Sequence, residues 1–386
     1  MLKKMILKNF KTFKEETIID FEATKFKGIV KNNVYDGIVK GGVFLGSNGA
    51  GKTTILEAIK LLLEMLFRNQ EVDLQSYVCY FGDSIESELT YEFMINRKCI
   101  KYSFVFNMEE VILKEQLYLE NNLIIDRSCD KAKLFMRNDT KEYNSNDFDK
   151  SILFLKKYYF VDKFSGNKDL REWMNFLENS IYFNSYNRQD TIYNYNKAIG
   201  LKYYEDINNV NNVNKFLNDY GFAEQIKYES NAKINNHYSV YLKDKKIVLF
   251  KKDSLDCWIP IDLESEGNVT LAHMLPVILH AISTNCIILF DEFSSGFSNE
   301  LEEFVIKFLM DNMECSQVFI VTHSTNVLKS TLLRPDQIYN VIFNGKTGSS
   351  IVRASNESPR ETQNYEKMYL GGVFGGRIKY GRNKDQ

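Results

Sequence analysis

Three short apolar runs, each ended at once by polar residues, stand out along this chain. They are VFL at residues 43–45, CIILF at 286–290 and VFIV at 318–321. A continuous apolar run of this kind is typical of a strand that is buried on both faces of a sheet. Behind the first run, apolar residues recur at near-helical spacing, at Ile55, Ile59, Leu62 and Leu66. The pattern therefore predicts a core of buried strands, with a helix after the first.

Other segments alternate apolar and polar residues, which predicts strands with one exposed face. Residues 5–21 predict two strands that meet at a turn, residues 86–127 predict an antiparallel sheet, and residues 238–252 predict a hairpin with its turn at 243–246. Between about residues 151 and 219 helical spacing prevails, in the runs SILFLKKYYFVDKF, LREWMNFLENSIYF and VNNVNKFLNDY. We therefore predict an α/β fold with a mixed core sheet, a flanking antiparallel sheet and a helical insertion.

The change in pattern divides the chain into three predicted units. We expect a first lobe at residues 1–150, the helical insertion at 151–235 and a second lobe at 236–386. The composition fits a folded protein with an ample core, because 44% of the 386 residues are hydrophobic and 14% are aromatic.

The charge balance and the cysteine pattern bear on possible partners and on metal binding. A formal net charge of −2 gives no overall signal for nucleic acid or membrane. Five lysines between residues 3 and 14 leave a local basic face open, although a solvated hairpin surface is the favoured interpretation. The six cysteines are scattered without a C-x-x-C pair, so we expect no zinc site and reduced thiols. Since no signal peptide or membrane-spanning run is evident, we expect no membrane partner and a cytoplasmic location.

The first apolar run leads into GSNGAGKT, which fits the P-loop pattern G-x-x-x-x-G-K-[ST]. Its glycines allow successive backbone N–H groups to point at one anion, and the following helix adds its positive N-terminal end. We expect Lys52 to reach the β- and γ-phosphates of ATP and the Thr53 hydroxyl to hold Mg²⁺. The residues expected to bind ATP are Gly46, Ser47, Asn48, Gly49, Ala50, Gly51, Lys52, Thr53 and Thr54.

The second and third apolar runs each deliver a candidate catalytic residue. The strand at 286–290 ends in Asp291 and Glu292, the arrangement called Walker B. We expect Asp291 to lie near Mg²⁺ and Glu292 to orient the attacking water as general base. His323 follows the run at 318–321, where it could contact the γ-phosphate.

A serine and a glycine precede another helical apolar run, in the stretch SEG at Ser265, Glu266 and Gly267. Such residues at a helix N-terminus can form a second anion site. The S-x-G pattern is weak by itself. Its distance ahead of Walker B matches the signature motif of ABC-type ATPases, which closes over the ATP held by another protomer.

The order of P-loop, long insertion, SEG, LFDEF and VTHS resembles the ABC-type, AAA-family ATPases of the SMC and RecF kind. It more closely resembles the ATPase part of the OLD group and its stand-alone relatives in anti-phage systems such as PARIS, Septu and retron-associated modules. Residues 5–15, 332–344 and YLGGVFGG at 369–376 support this resemblance. It implies Walker A roles for Lys52 and Thr53.

The same resemblance implies Walker B roles for Asp291 and Glu292, a signature role for Ser265 and Gly267, and a switch role for His323. The chain departs from the family at Asn268, where threonine is common, and at 298–299, where a histidine-proline pair is common. These departures predict slow hydrolysis.

No nuclease site is evident in the sequence. About sixty residues follow His323, too few for the Toprim domain of OLD nucleases. Asp147 and Asp149 form a D-x-D pair, but their asparagine-rich surroundings favour a loop or helix cap. A toxic effector, a nuclease or another toxin, is therefore expected to be a separate protein.

Three functions remain open at this point. The first is an ATPase sensor and scaffold that forms at least a homodimer and controls the effector in phage defence by abortive infection. The second is a RecF-like DNA-binding ATPase in DNA repair, so DNA remains an open partner. The third is a nucleotide-gated binding module without turnover.

Overall fold

The computed structural model describes residues 1–26, 30–136, 139–229, 231–233, 239–241, 246–252, 257–360 and 363–375. The first 150 residues hold β1 (Leu2–Lys8), β2 (Thr17–Asp20), β3 (Val34–Tyr35), β4 (Ile38–Val39), β5 (Gly41–Gly46), α1 (Lys52–Phe67), β6 (Glu86–Ile95), β7 (Lys98–Asn107), β8 (Ile112–Leu119), β9 (Asn122–Ser128), β10 (Lys131–Met136) and β11 (Asp139–Asn144). The middle of the chain holds α2 (Phe154–Asp162), α3 (Lys168–Glu178), β12 (Ile181–Asn184), β13 (Gln189–Ile192), α4 (Ile207–Asp219), β14 (Glu224–Glu229) and β15 (Asn231–Lys233). The last part holds β16 (Ser239–Tyr241), β17 (Ile247–Lys252), β18 (Ile259–Pro260), α5 (Glu266–Ser283), β19 (Ile287–Asp291), α6 (Asn299–Asn312), β20 (Gln317–Val321), β21 (Ile338–Phe343), β22 (Ser349–Arg353) and α7 (Tyr365–Leu370).

The three apolar runs form neighbouring strands of one mixed sheet. Its strand order is β13-β12-β19-β20-β5-β21-β22, and the inner five strands are parallel. Alternate residues of each inner strand enter different hydrophobic cores: Leu289 and Phe319 lie in one, Phe290 and Ile320 in the other. Both faces of the sheet are covered, which explains why these strands are continuously apolar in sequence.

Helices cover the two faces of the core sheet. Helices α1, α2 and α3 share the first hydrophobic core with the antiparallel sheet. There the ring centroid of Trp173 lies 5.6 Å from that of Phe93 and 5.9 Å from that of Tyr102. Helices α4, α5 and α6 share the second core. The predicted α/β class, with its mixed core sheet, flanking antiparallel sheet and helices, is confirmed. The stretch 151–235, predicted to be a helical insertion, holds α2, α3 and α4 but also strands β12 to β15.

The antiparallel sheet is larger than its sequence pattern indicates. Its order is β11-β10-β9-β8-β7-β6-β1-β2, so the predicted strand pair near the N-terminus forms one end of it. Gln317, at the start of β20, joins this sheet to the core sheet. Its side chain accepts a hydrogen bond from the Leu2 amide at 2.5 Å and donates to the Leu2 and Val39 carbonyls at 2.9 and 3.1 Å.

One part of the helical prediction is wrong. The run LREWMNFLENSIYF does not stay helical, because α3 ends at Glu178 and the IYF residues form β12. Strand β12 pairs in parallel with β19, and its Ile181 and Phe183 are buried in the second core. The physical reason is tertiary: a short apolar run does not distinguish helix from strand, and pairing with β19 decides for strand.

Two further predictions concern loops. The predicted hairpin at 238–252 is wrong in its pairing within the described residues: β16 pairs with β15, whereas β17 pairs with β14 and β18. Its predicted turn at 243–246 lies largely outside the described residues. The D-x-D pair lies in a loop, as predicted. There Asp149 accepts hydrogen bonds from the amide and hydroxyl of Ser151 at 2.8 and 2.7 Å, and Asp147 accepts one from the Asn144 amide at 2.7 Å. In the part of the chain that the structure describes, no helix combines the length and apolarity needed to cross a membrane.

Candidate functional site

The candidate site lies where three parallel strands end. Strands β19, β20 and β5 are adjacent and end at Asp291, Val321 and Gly46. Because parallel strands place their carboxyl ends at one edge of a sheet, the residues that follow them meet there. They surround a cleft of about 580 Å³, which is lined by Thr12, Asn48, Gly49, Gly51, Lys52, Thr53, Thr54, Tyr186, Glu292 and His323.

The loop between β5 and α1 requires glycine at two positions. Gly46 has a φ of 145°, and a Cβ there would lie 2.2 Å from the Val341 carbonyl oxygen. Gly51 has a φ of 99°, and a Cβ there would lie 2.3 Å from Thr12 Oγ1. Both positions therefore exclude side chains through backbone conformation and through space. The Ser349 hydroxyl donates to the Ala50 carbonyl at 2.7 Å and so braces the loop from β22.

Lys52 begins α1 and is almost fully buried beneath this loop. Its ammonium group donates to the carbonyls of Gly46 at 3.0 Å and Ser47 at 2.9 Å. Burial lowers the pKa of Lys52, while the carboxylates of Glu292 and Asp291 oppose that shift. The N-terminus of α1 has no side-chain cap and no acidic residue in its first turn, so its N–H groups stay available to an anion.

Asp291 lies under the cleft with its carboxylate almost completely buried. It accepts hydrogen bonds from Thr53 Oγ1 at 3.2 Å, from the Tyr182 hydroxyl at 3.2 Å and from Asn184 Nδ2 at 3.3 Å. Burial raises the pKa of Asp291, and the Thr53 and Tyr182 hydroxyls act against that rise. The Glu292 amide is a fourth donor, at 3.2 Å, and together these groups hold the buried carboxylate in a fixed position beside Thr53.

Glu292 and His323 face each other across the cleft. Glu292 Oε1 lies 3.8 Å from His323 Nε2, and both side chains are partly exposed. Glu292 has a φ of 51°, a left-handed conformation that costs about 1–3 kcal/mol in a residue with a side chain. Backbone hydrogen bonds on either side keep it there, from Phe293 N to Val321 O at 3.0 Å and from Ser295 N to Glu292 O at 2.9 Å. The pKa of His323 is lowered by burial and by Lys52, so its ring is neutral near pH 7.

The predicted signature residues begin α5 and do not line the cleft of their own chain. The Ser265 hydroxyl accepts a hydrogen bond from the Asn268 amide at 3.3 Å, and both Ser265 and Glu266 are exposed. Glu266 forms an ion pair with Arg188, on the loop after β12. A Cβ at Gly267 would lie 2.8 Å from the Gly296 carbonyl oxygen, so a glycine here lets the loop after Walker B pack against α5.

Four residues of the site were missed by the sequence analysis: Thr12 and Tyr186, which line the cleft, and Tyr182 and Asn184, which hold Asp291. A signal for Asn184 was present. It ends the apolar run at 181–183 just as Asp291 ends its own run, and β12 lies beside β19 in the sheet. Assigning this run to a helix hid the signal.

The residues near the cleft fit a hard cation shared with phosphate. Within the described ranges, no three or more histidine, cysteine, aspartate or glutamate side chains are grouped as a metal site. Mg²⁺ does not need such a group, because it commonly takes one or two protein oxygens and completes its shell with substrate phosphates and water. The Thr53 hydroxyl and the buried Asp291 carboxylate, 3.2 Å apart, supply such oxygens.

Comparison with known proteins gives one family match and several structural matches. The model of the family described as "AAA domain, putative AbiEii toxin, Type IV TA system" matches residues 43–329. Comparison with curated proteins finds no match. Among solved structures, the chain is similar to an SMC head domain from Thermotoga maritima, with 16% identity, 91% of this chain and 98% of that chain covered, and a TM-score of 0.48.

Two other solved structures give similar values. One is an SMC head bound to the C-winged helix domain of ScpA, with 14% identity, 91% of this chain and 97% of that chain covered, and a TM-score of 0.49. The other is an SMC head domain with an extended coiled coil, bound to the C-terminal domain of ScpA derived from Pyrococcus furiosus. It has 12% identity, with 91% of this chain and 95% of that chain covered, and a TM-score of 0.48.

Proposed function

The chain belongs to this family of AAA domains, and on that premise we propose that it is an ABC-type ATPase that controls a separate toxic effector in phage defence. The proposal has three parts: ATP binding and slow hydrolysis, closure of two copies around the nucleotide, and control of the effector. The family description names a toxin of a toxin–antitoxin system, which supports a defence setting.

The convergence of two distant chain segments carries the proposal. Lys52 and Thr53 follow β5, whereas Asp291, Glu292 and His323 lie at or after the ends of β19 and β20, and they meet around the same cleft edge. A glycine loop opening a helix, opposite two carboxylates and a histidine, is suited to binding and cleaving a nucleoside triphosphate.

In this mechanism the glycine loop and the start of α1 bind the phosphates. Lys52 leaves the carbonyls of Gly46 and Ser47 and donates instead to the β- and γ-phosphate oxygens. Thr53 and Asp291 would hold Mg²⁺, which supplies electrostatic stabilisation of the phosphate charge. Tyr182 and Asn184 keep the Asp291 carboxylate directed at this position.

Glu292 acts as general base in hydrolysis. It accepts a proton from a water molecule while the water oxygen bonds to the γ-phosphorus and the bond to the bridging oxygen of ADP breaks. Neutral His323, 3.8 Å from Glu292, donates a hydrogen bond to the transferred phosphoryl group. ADP and inorganic phosphate are the products.

Phosphate release from Mg·ATP tests the enzymatic part. We expect Glu292→Gln to lower turnover about 100-fold or more, the range of a lost general base, while ATP binding persists. Lys52→Ala should lose binding as well. Glu357→Gln, an exposed glutamate elsewhere, is the matched control. Equal turnover in wild type and Glu292→Gln would instead favour a nucleotide-gated binding module.

The exposed signature residues support closure with a second copy. Ser265 and Glu266 lie outside their own cleft and are open to solvent, as residues that act on another protomer must be. Light scattering of Glu292→Gln with and without Mg·ATP tests this. A mass increase that needs ATP and disappears in Ser265→Arg is expected. A particle that stays monomeric with ATP, alone or with its genomic neighbour, would contradict homodimer closure.

Control of the effector is tested in cells. Bacteria that express this chain with the product of the adjacent gene should survive phage infection as a population, and Lys52→Ala should abolish protection. Protection by the adjacent product alone, unaffected by this chain, would remove the sensor role.

The contacts of the N-terminal lysines do not favour the DNA-binding alternative. Four of the five pair with carboxylates: Lys3 with Glu22 at 3.3 Å, Lys4 with Glu92 at 3.8 Å, Lys11 with Glu57 at 2.5 Å and Lys14 with Asp83 at 2.9 Å. Paired lysines offer little net charge to a phosphate backbone. Affinity for duplex DNA that rises with ATP and falls steeply with salt would revive that alternative.

A further inference from the structure

Helix α7 and the residues after it take no part in the mechanism above, although they include the described part of the motif at 369–376. Tyr365 and Phe374 are buried in the second hydrophobic core with residues of β5, β19 and β20. The segment therefore packs against the core sheet, and two sets of contacts join it to chain segments that border the cleft.

The first contact reaches the loop that carries His323. The Thr325 hydroxyl donates to the Glu366 carboxylate at 2.6 Å, a short bond of the charge-assisted kind. Thr325 stands two residues after His323. The turn between them is compact, since the Ser324 amide donates to Thr322 Oγ1 at 3.0 Å and the Leu328 amide donates to the Thr325 carbonyl at 3.0 Å.

The second set of contacts reaches β21, the strand beside β5. Asn340 Nδ2 donates to the Phe374 carbonyl at 2.9 Å and also to the Gly375 carbonyl. Asn340 lies opposite Leu45 in the parallel pairing of β21 with β5, so the residues after α7 are tied to the strand next to the one that leads into the glycine loop.

We propose that Glu366 is a positioning residue that holds the loop carrying His323. The residues after α7 are tied to β21, beside β5, so Glu366 fixes the histidine relative to the phosphate cradle. Small displacements at a reacting centre lower the rate strongly. The inference rests on the proposed ATPase function.

Steady-state kinetics test the positioning role. Glu366→Ala should lower kcat at least tenfold with the KM for ATP changed less than twofold, because it displaces a group that acts on the transition state. Glu366→Gln keeps an acceptor for Thr325 and should recover most of kcat. Lys367→Ala, exposed on the same helix, should resemble wild type.

A double variant tests whether Glu366 acts through Thr325. Thr325→Val and Glu366→Ala together should be no slower than Glu366→Ala alone, since both remove the same hydrogen bond. An additive loss in the double variant, or equal effects of Glu366→Ala and Lys367→Ala, would overturn the inference.

Hydrogen exchange tests the positioning role by a measurement that does not depend on ATP turnover. Without nucleotide, Glu366→Ala should exchange faster at 322–328, and Lys367→Ala should match wild type there. If wild type hydrolyses no ATP, the proposed function fails, and exchange still shows whether α7 holds this loop. Unchanged exchange at 322–328 in Glu366→Ala would refute the positioning role.

Discussion

Glu115 is a buried carboxylate whose removal has a calculable effect on stability. It lies on β8 under the start of α2, where it accepts hydrogen bonds from the Tyr102 hydroxyl at 2.9 Å and from the amides of Phe154 at 2.7 Å and Leu155 at 2.8 Å. Arg127, equally buried, lies 3.4 Å away. Because α2 has no side-chain cap of its own, Glu115 supplies its N-terminal acceptor from the neighbouring sheet.

The magnitude follows from what Glu115→Ala leaves behind. Removing one partner of a buried ion pair costs about 3–5 kcal/mol, because the other charge stays buried without compensation. Arg127 keeps hydrogen bonds to the carbonyls of Ile152 at 2.5 Å, Lys150 at 3.0 Å and Asp149 at 3.3 Å. We therefore expect the low end, about 3 kcal/mol, and a smaller loss for Glu115→Gln, which retains one acceptor.

Urea unfolding followed by far-UV circular dichroism measures this loss. The free energy of unfolding is calculated from the midpoint and the slope of the first unfolding transition. Glu142→Ala is the control, because Glu142 lies in the same sheet and pairs with Lys133 at 2.7 Å with both side chains exposed. Exposed pairs contribute little, so its midpoint should not move measurably. If the urea midpoint of Glu115→Ala shifts as little as that of the control, the reasoning is refuted.

Two further predictions concern activity. Burial and Lys52 lower the pKa of His323, so wild-type turnover should stay level from about pH 7 to 8 and fall only below the ordinary imidazole pKa of about 6.5. His323→Gln should lose this decrease at acidic pH. A decrease that persists in the variant contradicts the assignment. Tyr182→Phe removes one of three side-chain donors to Asp291 while the ring stays packed, so half-maximal turnover should need about tenfold more Mg²⁺. An unchanged Mg²⁺ titration would show that the remaining donors suffice.

Much of the candidate cleft follows from local sequence. Its loop requires glycine where φ is positive and a Cβ would have no room, and both conditions hold at Gly46 and Gly51. Likewise, the abrupt ends of the apolar runs predict which residues leave the sheet at its carboxyl edge. Asp291, Glu292 and His323 were found in this way because parallel strands convert sequence position into spatial position.

Other features had no local signal. The run at 181–183 is too short for its periodicity to separate helix from strand, and only pairing with β19 made it β12. Asn184 and Tyr182 were missed together with that strand. The contact of α7 with Thr325 joins residues that are far apart in sequence.

The chemical groups of the candidate site could be predicted from local sequence: a glycine loop, a lysine, two carboxylates and a histidine, each at or just after the end of a buried strand. Such features depend on backbone conformation and on runs of a few residues. The contacts around these groups, such as Tyr182 with Asp291 and Glu366 with Thr325, depend on tertiary structure. Those contacts join segments about 40 to 110 residues apart, and only the packing of the whole chain brings them together.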